Sequence, residues 1–175
     1  MGAGECLDAG VCAAVDVHYL TAGGARAAAV LAADAAFAAV LAERTAEVPA
    51  VPPYSSGEFY LRELPPLRTL LASMELPRLV VVDGYADLDP DGRPGLGAYV
   101  HAEFGMPVIG VAKSPFRTAT HAVPVLRGAS ARPLLVTAAG LGRTEAADLV
   151  RRMAGPFRVP DALRRADALA RARCG

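Results

Sequence analysis

The chain has 175 residues, 18 Lys+Arg against 18 Asp+Glu, and 53% apolar residues. This supports one domain with a real core and excludes a disordered, charge-dominated chain. No apolar run reaches the ~18 residues of a membrane helix. The first residues lack the order of a secretory leader, and Cys6, Cys12 and Cys174 lack metal-ligand spacing and the even count of a disulfide scaffold. A single domain over 1–175, in a reduced cytoplasmic setting and away from membranes, is the expectation.

Residues 12–20, CAAVDVHYL, are short and apolar with β-branched members, and read as a strand. The Ala22-Gly23-Gly24-Ala25 turn returns the chain into a second strand over 26–33. A third strand of a meander is placed at about 36–42, although the alanines there also suit a helix. Pro49, Pro52 and Pro53 enforce an extended loop. Apolar residues at helical spacing predict a helix over 59–74, with Ser55 or Ser56 near its start and Pro65 and Pro66 either separating or kinking its first turns.

Leu79 to Val82 is a continuous apolar run ending in Asp83-Gly84, the pattern of a buried parallel strand. A loop follows over 85–95, a short helix over 97–104, and a second buried strand over 107–112 that ends at Lys113. Short strands are expected at 122–127 and 133–137. An amphipathic helix is expected at 144–154, and a basic terminal helix at 161–173.

The zero net charge hides a split. Residues 1–109 carry 14 acids against 6 bases, and residues 110–175 carry 4 against 12. An acidic centre beside a basic surface suits a phosphate-binding protein; the plainer alternative is a solvated Arg-rich helix. Lys113 is the sole lysine in an arginine-rich chain.

Three acids stand out by position. Asp16 interrupts an apolar strand, Asp83 ends another, and Glu63 sits on a helix beside Arg62. An ionised carboxylate inside a sheet needs a partner or a metal, and sites in open α/β sheets lie at the carboxyl ends of the strands. Three such carboxylates converging suit a hard cation such as Mg²⁺. No G-x-G-x-x-G, HExxH or G-x-S-x-G pattern accompanies them.

The segments VDVHYL, VPPYSSGEFYLRELPPL, LVVVDGY and PVIGVAKSPF, in this order and spacing, resemble the endonuclease V family over about residues 11–167. The resemblance implies an α/β, ribonuclease H-like fold with a mixed central sheet flanked by helices. It implies Mg²⁺-dependent (or Mn²⁺-dependent) cleavage of inosine-containing DNA, or of RNA, at the second phosphodiester bond 3′ to the deaminated base, in DNA repair. Asp16, Glu63 and Asp83 match the family's metal-ligating catalytic acids, and Lys113 matches a lysine near the reacting phosphate. Tyr54 matches the wedge that fills the gap left by the extruded base, while Gly84 and Gly110 match positions near the lesion pocket. Asp89 stands where many members carry a histidine. The late loop 137–145 also lacks a family histidine and leaves Glu145 as the late acid. A monomer is expected. The competing reading is a member with weakened cleavage that binds inosine or structured nucleic acid.

Overall fold

The computed structural model describes residues 10–56 and 58–172; Cys6 and Cys174 lie outside them, and Cys12 is a buried free thiol. The sequence begins as a meander. Strand β1 (Cys12–Tyr19) turns at Gly23 and Gly24 into β2 (Ala25–Ala32), and β3 (Val40–Val48) closes the antiparallel set. The third strand starts later than the sequence reading places it. Asp34 takes the intervening residues into a turn, its Oδ1 accepting from the Ala36 N–H at 3.0 Å and its carbonyl from the Phe37 N–H at 3.2 Å. Phe37 then adopts a left-handed φ of 53° and buries its ring.

Helix α1 (Tyr60–Ala72) follows the Pro-rich loop and contains both Pro65 and Pro66. Its N-cap is Phe59 with no side-chain capping bond, so neither Ser55 nor Ser56 starts it. Strand β4 (Leu79–Asp83), helix α2 (Leu96–Phe104) and β5 (Val108–Ala112) form the parallel unit. Short β6 (Val123–Val125), β7 (Leu134–Ala139), α3 (Arg143–Arg152) and α4 (Asp161–Arg171) complete the order.

One mixed seven-stranded sheet results, in the order β3-β2-β1-β4-β5-β7-β6. β1, β4 and β5 run parallel at its centre, and the flanking pairs are antiparallel. This is an α/β sandwich of ribonuclease H-like type. The central strands are apolar throughout because helices cover both faces. On one face Ala13, Val15, Ala27, Ala29, Val80 and Val82 pack against Leu67, Leu70 and Leu71 of α1 and Val100 of α2. On the other, Cys12, Ala14, Val30 and Val81 pack against Ala146 and Val150 of α3 and Ala162, Leu163 and Ala166 of α4. The small residues of β1 and β2 let the helices lie close to the sheet.

Candidate active site

The parallel strands end at one rim, and the acids of interest meet there. In the β1–β4 register Val15 pairs with Val82, which brings Asp16 level with Asp83. By strand alternation both belong to the α4 face. Glu63 comes from α1 on the opposite layer and reaches round the strand ends, where Asp16, Glu63 and Asp83 line one small cavity with Leu67 and Leu96.

Electrostatics record this convergence. Burial, then the Asp83 carboxylate, pushes the Asp16 carboxyl up to about 7; the Val17 N–H, donating to Asp16 Oδ1 at 2.8 Å, opposes the shift. Burial, then Asp16 and Asp83, pushes Glu63 up to about 7, with Arg62 opposing. Two carboxyls with pKa values near neutrality carry protons where an anion lacks compensation. Asp83 instead has a cation at hand: the Lys113 ammonium, just past β5, donates to Asp83 Oδ2.

A fourth acid joins them. Asp167, on α4, acts on Asp16 from the helix layer and adds to the upward push on its carboxyl. Burial disfavours charge on Asp167, but hydrogen bonds from Arg171 and Asp16 outweigh it and hold its pKa below the usual range. Asp167 was legible in principle, since it interrupts the buried stripe Leu163, Ala166 and Ala170 at helical spacing. Glu145 lies exposed in the first turn of α3 and does not figure among the groups acting on Asp16 or Glu63. Of the acids in the last two helices, Asp167, on a helix after the loop that carries Glu145, is the one that acts on Asp16.

An apolar cavity of about 440 Å³ opens off the same carboxylates. Glu63, Asp83 and Gly84 line it together with the aromatic rings of Phe59, Tyr60, Tyr85 and Phe116. The Tyr85 hydroxyl donates to the Ser114 carbonyl at 2.8 Å and accepts from the Phe116 N–H at 3.0 Å. It thereby ties the β4–α2 loop to the loop after Lys113. Gly84 holds a left-handed φ of 137° at the cavity. Gly110 lies one layer below, buried in β5. A Cβ there would stand 2.7 Å from Thr137 Oγ1 and 2.8 Å from the Gly84 carbonyl, so its absence lets the loop rest directly on the strand. Thr137 Oγ1 accepts from the Ala86 N–H at 2.7 Å and fixes that loop. Asp89 serves its own turn, accepting from the Asp91 and Arg93 N–H groups at 3.0 and 2.9 Å. Tyr54 is 58% exposed in the loop before α1, edge-on to Phe59 with ring centroids 5.2 Å apart.

The chain has relatives among known proteins. The model of the family described as Endonuclease V matches residues 6–144. The chain belongs to the endonuclease V family. It is 37% identical to the endonuclease V of Streptomyces coelicolor, over 90% of this chain and 76% of that protein. The crystal structure of the endonuclease V from Streptomyces avermitilis superposes with a TM-score of 0.77 at 32% identity, covering 94% of this chain and 81% of that one. The Ciona intestinalis endonuclease V, solved in complex with a 23mer DNA containing an inosine followed by a ribo-adenosine, shares the fold with a TM-score of 0.78 at 19% identity, over 95% of this chain and 85% of that one. Endonuclease V relatives indicate a nuclease, a hydrolase of phosphodiester bonds. No helix among the described residues is long and apolar enough to cross a membrane.

The basic segment 110–175 does not form an unbroken phosphate track. Arg127 is buried and donates to the Val150 and Met153 carbonyls at 2.9 Å and to that of Gly155 at 3.0 Å. Arg158 donates to the carbonyls of Lys113 and Pro133. Arg151, Arg164, Arg165 and Arg171 face Asp148, Asp161, Glu43 and Asp167. Much of the positive charge thus holds the fold together.

Proposed function

We propose that this endonuclease V family member is a divalent-cation-dependent endonuclease. It cuts inosine-containing nucleic acid at the second phosphodiester bond 3′ to the deaminated base, as a cytoplasmic DNA-repair enzyme. The observation that carries this reading is that an apolar, aromatic-walled cavity shares Glu63 and Asp83 with the carboxylate cleft. A base drawn out of the stack into that cavity brings its own strand to the acids.

The donor set fits a hard cation. Asp16, Glu63, Asp83 and Asp167 supply only carboxylate oxygens, the chemistry preferred by Mg²⁺ or Mn²⁺. As they lie, no three acidic, His or Cys side chains among the described residues are gathered closely enough to ligate one ion. Asp83 is turned to Lys113, and the carboxyl of Asp16 is pushed up by burial and by Asp83. A cation held by these acids would take the place of the Lys113 ammonium on Asp83 and of the protons on Asp16 and Glu63. When bound, a divalent ion neutralises phosphate charge and makes its water more acidic.

The chain's own groups do the rest. Lys113 places a compact positive charge at the cleft for a phosphate oxygen. Asp16 and Glu63, with pKa values near 7 in the empty cleft, give up their protons near neutral pH and so become available as oxygen donors there. Tyr54, exposed before α1, fills the gap in the stack in this reading, and Gly84 lines the cavity without a side chain.

Single-turnover cleavage of paired duplexes, one with deoxyinosine and one without, tests the proposal. Mg²⁺-dependent nicking of the inosine strand alone is expected. Equal cutting of both removes inosine direction. Selective binding without cutting in Mg²⁺ or Mn²⁺ makes the protein a binder.

A further inference from the structure

A second concavity of about 850 Å³ opens on the other side of the carboxylates. Lys113 and Asp167 stand at its inner end, and Phe157, Arg158, Arg164 and Ser130 line it further out. Phe157 is 53% exposed although its ring is large and apolar. The Arg164 guanidinium lies over that ring, 4.3 Å from its centroid. An exposed aromatic ring with a stacked guanidinium is a flat, cationic surface that suits a nucleobase.

The platform is held rigidly. Arg158 ties the loop to the carbonyls of Lys113 and Pro133, so it is anchored to the lysine of the cleft itself. Arg127 holds the Gly155 carbonyl, and the Asp161 N–H donates to the Ala154 carbonyl at 3.0 Å, closing the loop at its base. A Cβ at Gly128 would stand 2.5 Å from the Pro156 carbonyl, so the neighbouring turn is seated directly against it. A surface fixed in this way loses little freedom on binding. Asp167 is the sole acid among the groove's lining residues, which favours an anionic strand.

We propose that this groove is a nucleotide subsite, in which the base of a nucleotide on the 3′ side of the scissile phosphate stacks on the Phe157–Arg164 pair. The proposal rests on the nuclease reading above. Its polarity follows from connectivity: the apolar cavity shares Glu63 and Asp83 with the cleft, and the groove shares Lys113 and Asp167. A strand with its deaminated base in the cavity and its cut 3′ to that base continues toward Phe157.

The test is a binding cycle by fluorescence anisotropy, in Ca²⁺ buffer, on duplexes carrying one inosine. An abasic residue is stepped through the positions on either side of the lesion. Wild type should lose roughly tenfold in affinity when the abasic residue occupies the stacking position beyond the cut. Phe157→Ala should show that loss with the intact strand and little further loss with the abasic one, and Phe157→Trp should restore the wild-type response. Indifference of wild type to every 3′ abasic position overturns the subsite. An undiminished abasic effect in Phe157→Ala, or sensitivity only on the 5′ side, also overturns it. Inosine against adenine in the same titration reports the cavity separately. Lost inosine preference with a retained Phe157-dependent effect removes the functional reading and leaves the subsite. Failure to bind either duplex removes both.

Discussion

Asp16, midway along the first strand, and Asp167, on the helix that packs over it, shift each other in opposite directions, the carboxyl of Asp16 upward and that of Asp167 downward. Asp167 therefore belongs to the same cleft as Asp16. Asp167→Ala should lower single-turnover cleavage by about 10²-fold or more, the scale of losing one preorganised electrostatic group. Glu145→Ala, on the exposed turn of α3, should stay within twofold of wild type. The two rates side by side decide which late acid serves the cleft.

The pH dependence of stability has a definite sign. Asp16 and Glu63 have folded-state values near 7, above the ordinary ~4 of an unfolded carboxyl. Between about 4 and 7 the folded chain binds more protons than the unfolded one, so stability from these groups falls as pH rises through that window. Thermal unfolding in EDTA from pH 5 to 8 should show a declining Tm. Asp16→Asn or Glu63→Gln should flatten the decline, and Mg²⁺ or Mn²⁺ at pH 7.5 should raise the Tm. A metal-free Tm that climbs over this range contradicts the protonated cleft.

Recognition and chemistry should separate on mutation. Tyr54→Ala removes an exposed ring and should cost ~1–3 kcal/mol of preference for the inosine duplex. Asp83→Ala should reduce cleavage by about 10³-fold while leaving the affinity for inosine DNA within a few-fold. Binding and single-turnover rates on the same substrates give both numbers.

Salt dependence should be moderate. Because Arg127 and Arg158 are spent on carbonyls and several others face acids, few arginines remain for phosphates. A slope of log K against log salt of about −3 to −4 is expected, well short of the value that all the bases of residues 110–175 would give.

The loop under the cavity gives a stability prediction. Gly110→Ala should lose about 2–3 kcal/mol, since its methyl meets Thr137 Oγ1 and the Gly84 carbonyl at van der Waals overlap. Thr137→Val should lose ~1–3 kcal/mol by leaving the buried Ala86 N–H without an acceptor. Urea unfolding measures both.

Alternation and apolar runs made most strands readable, and β1, β2, β4 and β5 lie where period and composition place them. The start of β3 was hidden by the Asp34 turn, because alanines carry no directional signal and Phe37 adopts a backbone angle unusual for its residue type. Asp16, Glu63 and Asp83 could be singled out because a charge inside an apolar run stands out. Asp167 left a fainter mark. It interrupts the apolar stripe of α4 at helical spacing, but its helix is so rich in arginine that one more charge reads as solvation until the packing of α4 on β1 is seen. The aromatic walls of the cavity come from three separate stretches of chain, and no spacing rule joins Phe59, Tyr85 and Phe116.

The alanines of β2 have a role beyond filling. Ala27 and Ala29 lie beneath α1, which carries Glu63, and Ala14 and Val30 lie beneath α4, which carries Asp167. The thickness of that layer sets how far each helix stands from the sheet, and so how far its acid stands from Asp16. A methyl group is thus the gauge of the cleft. A branched residue at 27 or 29 would keep every acid in place along the chain and still lift Glu63 out of range. Side chains with no chemistry of their own therefore fix the scale of the reacting centre.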